Sequence, residues 1–340
     1  PGRYFDVSGQ MQVAGVNVAR FNHNPATGAS LGLLCESAST NLALQSEDLG
    51  TTWGAPLQLS LSVNDAVAPD GATTMDRCTD SIISSAHSIV QAFTPVVGVH
   101  TYTHFFKRND HDLVQLLLND GTTTFYANFN LNTGAVGNSH ASATVSIQDI
   151  GGGIYRCRIT ATLANAVGFF GFALLATDVM SALEIYIGTG TSLWAWGSQL
   201  EQRATPSSYI PTTTTSVARS ADNVSVTLSG EINLSGGSFY ERYSFFGGLS
   251  GEASFQVDGG DNNNRFYSLR DTGADINAYC VSAAGDDMAL ESSLSLAVDT
   301  EYEHGFAYAA DDCGQYVEGV QTATDAAFDV IAVAITRLFI

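Results

Sequence analysis

The sequence predicts an all-β protein built as tandem antiparallel β-sandwiches, on three observations. Short runs rich in β-branched and aromatic residues recur along all 340 residues. Turn chemistry separates these runs at close intervals. A hydrophobic content of 45% with 33 glycines and only 14% charged residues suits a folded β-rich chain and not a disordered one.

In chain order, the first strands are expected at 57–63, 102–108, 113–118, 125–131, 155–162, 169–175, 183–187 and 193–200. Between them stand Pro69-Asp70-Gly71, Asn119-Asp120-Gly121, Asn132-Thr133-Gly134 and Gly151-Gly152-Gly153. Asn and Gly accept the positive φ of tight hairpin turns, so these are strand reversals. A second series is expected at 237–246, 253–257, 265–269, 276–281, 302–309 and 315–317.

A chain of 340 residues exceeds the usual size of one domain. The run Thr212–Ser216 after Pro211 has no hydrophobic period and marks the boundary. The expected organisation is a first sandwich with an extended N-terminal segment at 1–211, a linker or strap at 212–222, and a second sandwich at 223–340. Pro1 stands where a full translation product begins with Met, and A-V-A-I-T-R-L-F-I ends inside an apolar strand. Such a strand needs a neighbour, so the polypeptide is expected to continue past Ile340, or a partner chain to complete the second sandwich.

The net charge of −21 comes from 34 acids against 13 bases, of which only Lys107 is a lysine. That surface repels phosphate, so nucleic acid is not an expected partner. No apolar run reaches the roughly 18 residues of a membrane span, and the N-terminus lacks the features of a signal peptide. The five cysteines show neither C-x-x-C spacing nor an even count, which disfavours a zinc cluster or a disulfide framework. Alternation puts Leu31, Leu33 and Cys35 on one face, as it does Tyr155, Cys157 and Ile159, and Ile276, Ala278 and Cys280. Those thiols are expected to be buried and inert, leaving Cys313 in D-D-C-G as the exposed one.

Candidate chemistry is sparse. Gly28-Ala29-Ser30-Leu31-Gly32 spells G-x-S-x-G, but the nucleophile elbow needs a strand-to-helix turn that this pattern does not provide. Seven histidines show no H-E-x-x-H, and the i, i+4 pair His100 and His104 suits metal binding on a helix, not on a strand. The most oxygen-rich loop is Asp258-Gly-Gly-Asp261-Asn262-Asn263-Asn264, and oxygen donors are what Ca²⁺ requires. Asp258, Asp261, Asn262, Asn263 and Asn264 are therefore the candidate rim site for an ion or a glycan, with Asp258 and Asp261 as the Ca²⁺ ligands. The alternative for the same loop is a solvated acidic turn. Asp110-His111-Asp112 is a weaker version of this signal. The period of two puts Trp194, Trp196 and Leu200 on one side of a strand, where they are expected to anchor a core rather than stack on sugar.

Several motifs occur in a fixed order. The segment 20–42 contains Arg20-Phe21, the P-A-T-G turn at 25–28, G-L-L-C-E at 32–36 and Thr40-Asn41-Leu42. Ile154-Tyr155-Arg156 follows a glycine run, and Trp196-Gly197-Ser198-Gln199-Leu200-Glu201 precedes Ser208-Tyr209-Ile210-Pro211-Thr212, Arg219 and Asp222. Together these resemble a module of bacteriophage tail-fibre and head-appendage proteins, in which W-G-x-Q-L-E is followed by S-Y-I-P-T, Arg and Asp. Members of that family more often carry Trp-Tyr-Arg where this chain has Ile154-Tyr155-Arg156.

The resemblance covers most of 1–222 and implies a jelly-roll sandwich. The second region is similar to concanavalin A-like or laminin G-like domains, on pattern more than on fixed residues. The implied function is a non-enzymatic virion-surface structural protein, in a tail fibre, spike or capsid appendage, acting in assembly and host-glycan attachment. Its implied partners are other virion proteins, further copies of itself in a trimer or ring, and a host surface glycan, with no cofactor beyond a Ca²⁺ ion. Glu36 and Glu201 are the carboxylates within the strongest motifs, with roles as hydrogen-bond acceptors set against a catalytic pair. A secreted bacterial carbohydrate-binding module and a glycan hydrolase or lyase stay open as alternatives.

Overall fold

The computed structural model describes residues 2–244, 252–260, 263–270, 275–282, 288–297, 300–326, 328 and 335–340. Among them there is no helix, and the chain divides into two compact units, Pro1–Asp222 and Asn223–Ile340.

The first unit is a sandwich of eleven strands: β1 (Leu59–Val67), β2 (Thr73–Asp80), β3 (His87–Phe93), β4 (Gly98–Arg108), β5 (Leu113–Asn119), β6 (Thr124–Asn130), β7 (Ala135–Ser139), β8 (Thr144–Gly151), β9 (Ile154–Leu163), β10 (Gly168–Leu175) and β11 (Ser192–Glu201). One sheet has the order β8-β9-β4-β11-β2-β1 and the other β7-β6-β5-β10-β3, with antiparallel pairing. Removing the hairpin arms β7 and β8 and the edge strand β1 leaves two four-stranded sheets, β9-β4-β11-β2 and β6-β5-β10-β3. Their chain crosses between the sheets at every step except the β5–β6 hairpin, which is jelly-roll topology.

The inward positions of both sheets build one core, including Tyr102, Phe106, Leu116, Phe129, Phe170 and Phe172, all fully buried. Each large apolar side chain removed from water contributes roughly 1.5–3 kcal/mol, so this layer is the main stabilising element. Cys157 and Ile159 lie in it as their alternation requires. His104 is buried there too, between Phe106 and Phe172, and desolvation lowers its pKa to about 3. It is a neutral core residue whose Nδ1 is hydrogen-bonded with the Tyr102 hydroxyl at 3.0 Å.

The β5–β6 turn follows the expected hairpin chemistry. Gly121 has φ +85°, the Asn119 side chain accepts the Gly121 amide at 2.6 Å, and Asp120 accepts the amides of Thr122 and Thr123. The expected strand at 183–187 shortens to Tyr186–Ile187, because the preceding residues cross the outside of the second sheet. There Ala182 and Leu183 pack on Leu117, Tyr126 and Ala173.

One expectation about facing is corrected. Trp194 and Trp196 share the outer side of β11, but Leu200 lies in the inter-sheet core. The ladder with β4 shifts between Phe105↔Trp196 and Thr103↔Gln199, so β11 carries an extra residue at Gly197, whose φ is +69°. A β-bulge reverses the alternation downstream of it. Trp196 packs with Phe105, Met75 and Tyr209 beneath the N-terminal segment, while the half-buried Trp194 donates its indole N–H to Asp65 at 2.8 Å.

The segment 212–222 belongs to the first unit as a strap. The Thr212 hydroxyl donates to the Ala43 carbonyl, Gln45 donates its amide to the Thr213 carbonyl at 2.7 Å, and Val217–Arg219 pairs antiparallel with Ser39–Asn41.

The second unit comprises β12 (Ser225–Thr227), β13 (Gly236–Ser244), β14 (Glu252–Asp258), β15 (Arg265–Arg270), β16 (Ile276–Val281), β17 (Met288–Glu291), β18 (Glu301–Ala309), β19 (Cys313–Val317), β20 (Val320–Asp325) and β21 (Arg337–Phe339). The sheet β12-β21-β14-β15-β16-β17 faces the sheet β13-β18-β19-β20 across a core holding Phe255, Phe266, Ala278, Cys280, Phe306 and Phe328. The unit is a second antiparallel sandwich. The last strand, β21, pairs with β12 on one side and β14 on the other.

The cysteine expectation is corrected at both ends. Cys313 is only 3% exposed and points into the second core, whereas Cys35 is exposed. Leu31 is exposed as well, because Ser30–Leu33 forms a two-stranded ribbon with Phe21–His23 and not a sandwich strand.

Candidate functional site

The rim candidate sits where β14 ends. Asp258 is almost fully buried and its carboxylate is committed within the sheet: Oδ1 accepts Arg337 Nη2 at 2.7 Å, Arg337 Nε at 2.8 Å and the Gly260 amide at 2.8 Å, while Oδ2 accepts Gln256 Nε2 at 2.8 Å. Burial opposes its charge, but the bonds from Gln256, Arg337 and Gly260 outweigh burial and hold its pKa below the ordinary value. A Ca²⁺ ion bound through Asp258 would have to displace Arg337. Asn263 is exposed and Asn264 is buried, with its carbonyl accepting the Gly259 amide at 3.1 Å. Asp261 and Asn262 lie outside the described residues. Among the described residues no group of three or more His, Cys, Asp or Glu is placed to hold a metal ion.

Asp110, His111 and Asp112 are likewise used within the fold. Asp110 accepts the Ser192 amide at 2.7 Å, His111 Nδ1 meets the Thr191 hydroxyl at 2.8 Å, and Asp112 pairs with Arg108. Ser30 begins an exposed ribbon strand with no helix after it, so G-x-S-x-G is not an elbow. His23, opposite Ser30 in that ribbon, has its Nδ1 3.2 Å from the Phe5 carbonyl.

The motif residues, separated by up to 202 positions, meet in one place on the outer side of the first sheet. Arg20 lies 2.7 Å from Glu36 through Nη1 and also pairs with Asp222. Arg219 stands 3.6 Å from Glu36 and 3.7 Å from Asp222. Two guanidinium and two carboxylate groups thus form a neutral cluster, which is how charges are tolerated in a buried site. Ser208 completes it by donating its amide and its hydroxyl to Glu36, each at 2.6 Å. Burial works against the Glu36 charge, yet Arg219, Ser208 and Arg20 together keep its pKa below the ordinary carboxylate value.

A second buried node lies beside the first. Glu201 is fully buried and accepts the Ser207 amide at 2.9 Å, the Ser207 hydroxyl at 2.6 Å, Gln199 Nε2 at 2.8 Å and the Ser39 hydroxyl. Arg156 reaches the Ser207 carbonyl at 3.0 Å. Asn41 spends both donors on the carbonyls of Ser198 and Ile210 and accepts the amides of Ala43 and Leu200, leaving none of its capacity unused. The Tyr209 ring lies tilted against Trp196 with centroids 4.6 Å apart, and its hydroxyl bonds Ser46 at 2.7 Å. Glu36 and Glu201 therefore act as anchors that bind the N-terminal segment and the strap to the jelly roll.

The second unit carries a polar and aromatic row that periodicity alone did not reveal. Tyr240, Gly305 and Tyr316 lie side by side on the outer face of β13, β18 and β19. Their alternation was visible in each strand, but the register that aligns them was not.

No protein-family model matches the sequence, and no curated protein matches it. Among solved structures the chain is similar to the LG1-3 region of the laminin alpha2 chain, with 8% identity and a TM-score of 0.29. The match covers 75% of this chain and spans 59% of that one.

Proposed function

We propose that this chain is a non-enzymatic structural protein of a bacteriophage virion surface, part of a tail fibre, spike or capsid appendage, with a role in attachment to host glycans. The observation that carries the reading is the convergence of Arg20, Glu36, Ser208, Arg219 and Asp222. These are the residues on which the resemblance to the phage module rests, and here they serve one mechanical purpose. They clasp both ends of the first unit onto a jelly roll, as a module that must survive outside a cell requires.

The same geometry supports a structural role over a catalytic one. A glycosidase pair needs one carboxyl group that can hold a proton and a gap that admits the sugar. Glu201 is instead buried, Glu36 is largely so, and both are surrounded by donors. The charge of −21 favours a surface that avoids nucleic acid and stays soluble at high local density.

Immunogold labelling tests the proposal. Antibodies against the chain should decorate intact particles of the phage that encodes it, at a fibre or appendage. Labelling confined to the soluble fraction of the culture would overturn the virion assignment and favour a secreted carbohydrate-binding module.

A further inference from the structure

The outer face of the four-stranded sheet in the second unit has the makings of a saccharide platform. Tyr240 pairs with Gly305 across β13 and β18, and Gly305 pairs with Tyr316 across β18 and β19. Adjacent strands are about 4.8 Å apart, so the two tyrosines are anchored roughly 9.6 Å apart with a residue lacking a side chain between them. Tyr240, on the edge strand β13, is 65% exposed, and Tyr316, on an inner strand, is 43% exposed.

Both rings lie along the sheet instead of standing off it. A Cβ on Gly305 would come within 3.8 Å of the Tyr240 ring, and one on Gly314 within 3.4 Å of the Tyr316 ring. The next row, Ser238, Ala307 and Gly314, is also small, and the Tyr316 ring and the Gln321 amide lean over Gly314. Charged groups border the row on its other side, and Gln321 extends the row itself onto β20. Arg242 pairs with Glu301 and lies 3.8 Å from Glu303, Glu318 accepts the Glu303 amide at 2.7 Å, and Gln321 donates to the Tyr316 hydroxyl at 3.3 Å. Two exposed aromatic rings laid along the sheet and a border with three carboxylates to one guanidinium suit a particular chemistry. The ligand would present apolar ring faces to tyrosine and hydroxyl or ammonium donors to Glu303 and Glu318.

We propose that Tyr240, Gly305 and Tyr316 form a binding site for an uncharged or amino-bearing saccharide chain laid across the strands. Anionic saccharides are excluded by the carboxylates of Glu301, Glu303 and Glu318 together with the strong negative charge of the chain. The proposal rests on the reading of the chain as a glycan-attachment protein but is tested apart from it.

The test uses the full chain and three immobilised probes: cellohexaose, the fully deacetylated chitosan hexamer and oligogalacturonate. The wild type should bind one or both of the first two and leave the third. Y240A/Y316A should weaken that binding roughly tenfold or more, while Y240F/Y316F should retain it because the ring faces carry the contact. Thermal melting of each variant separates lost binding from lost folding, since both positions are exposed. Failure to bind either of the first two probes, undiminished binding by a folded Y240A/Y316A, or equal retention of oligogalacturonate would overturn the proposal. The tyrosines would then serve only to cover glycines in the sheet. Absence of the chain from virions would leave this site standing and remove only the particle assignment.

Discussion

Arg20 Nη1 lies 2.7 Å from Glu36 Oε2, and Asp222 seals the pair by accepting from both the Arg20 guanidinium and the Glu36 amide. The bond links the N-terminal segment to the end of the strap, 202 residues away. Removing one partner unbalances the cluster, but Arg219 still faces Glu36 and Asp222 still faces Arg20, so each loss should cost about 1–3 kcal/mol. R20M and E36Q should each lower the melting temperature of the first unit, by roughly 2–4 °C per kcal/mol for a domain of this size. The two changes together should cost clearly less than their sum. Additive losses in a double-mutant cycle would show that the pair is not coupled.

The same cluster sets an acid limit. Because the folded-state pKa of Glu36 lies below its unfolded value, Glu36 stabilises the fold fully above about 4.5. The contribution falls as the pH drops below that value and vanishes once the pH is under the folded pKa. The melting-temperature deficit of E36Q should therefore be largest near pH 7 and shrink below about pH 4.5. A deficit that stays constant down to pH 3 would mean that Glu36 gains nothing from its charge.

Gly197 makes the facing of β11 possible. At φ +69° a side chain is strained, and a Cβ there would stand 2.7 Å from Cδ2 of the fully buried Phe105. Left-handed backbone strain and overpacking together predict a loss of about 2–4 kcal/mol for G197A. Urea denaturation of the variant would measure it, and an unchanged midpoint would show that the bulge relaxes freely.

How far the fold could be read from sequence depended on where period two held. Along β4, β5, β9 and β10 alternation is unbroken, and Tyr102, Leu116, Cys157 and Phe172 fall in the core as the pattern requires. It failed for Leu200 because one glycine in a bulge reverses the facing, and for Cys35 because its ribbon lies outside the sandwich. The oxygen-rich loop misled for a different reason. Composition marks Asp258 as a donor, but its partner Arg337 is 79 residues away and becomes visible only when β21 docks beside β14. The Tyr240–Gly305–Tyr316 row was hidden in the same way, since register between strands is a tertiary property.

Asp258 separates an ion site from an internal ion pair. With the carboxylate bound to Arg337 through both Nε and Nη2, D258N should destabilise the second unit by roughly 1–3 kcal/mol, since the Arg337 charge left behind is partly exposed to water. The loss should be equal in EDTA and in millimolar Ca²⁺, because the bonds that disappear involve no metal. A wild-type melting temperature raised by Ca²⁺, with the rise abolished in D258N, would instead make Asp258 a ligand.

Thiol reactivity gives the sharpest check on the corrected cysteines. Cys35 alone is exposed, while Cys78, Cys157, Cys280 and Cys313 are buried. Desolvation and the nearby Asp222 carboxylate raise the Cys35 pKa, so its thiolate is scarce at neutral pH and labelling should accelerate as the pH rises toward 9. The native chain should react with one equivalent of a disulfide reagent such as DTNB, and C35S should abolish that phase. Cys313 is shielded by the second core, with its Sγ 3.4 Å from the Ala309 carbonyl, and should react only on unfolding. Native labelling that persists in C35S and maps to Cys313 would show that the β18–β19 turn opens far more readily than its packing implies.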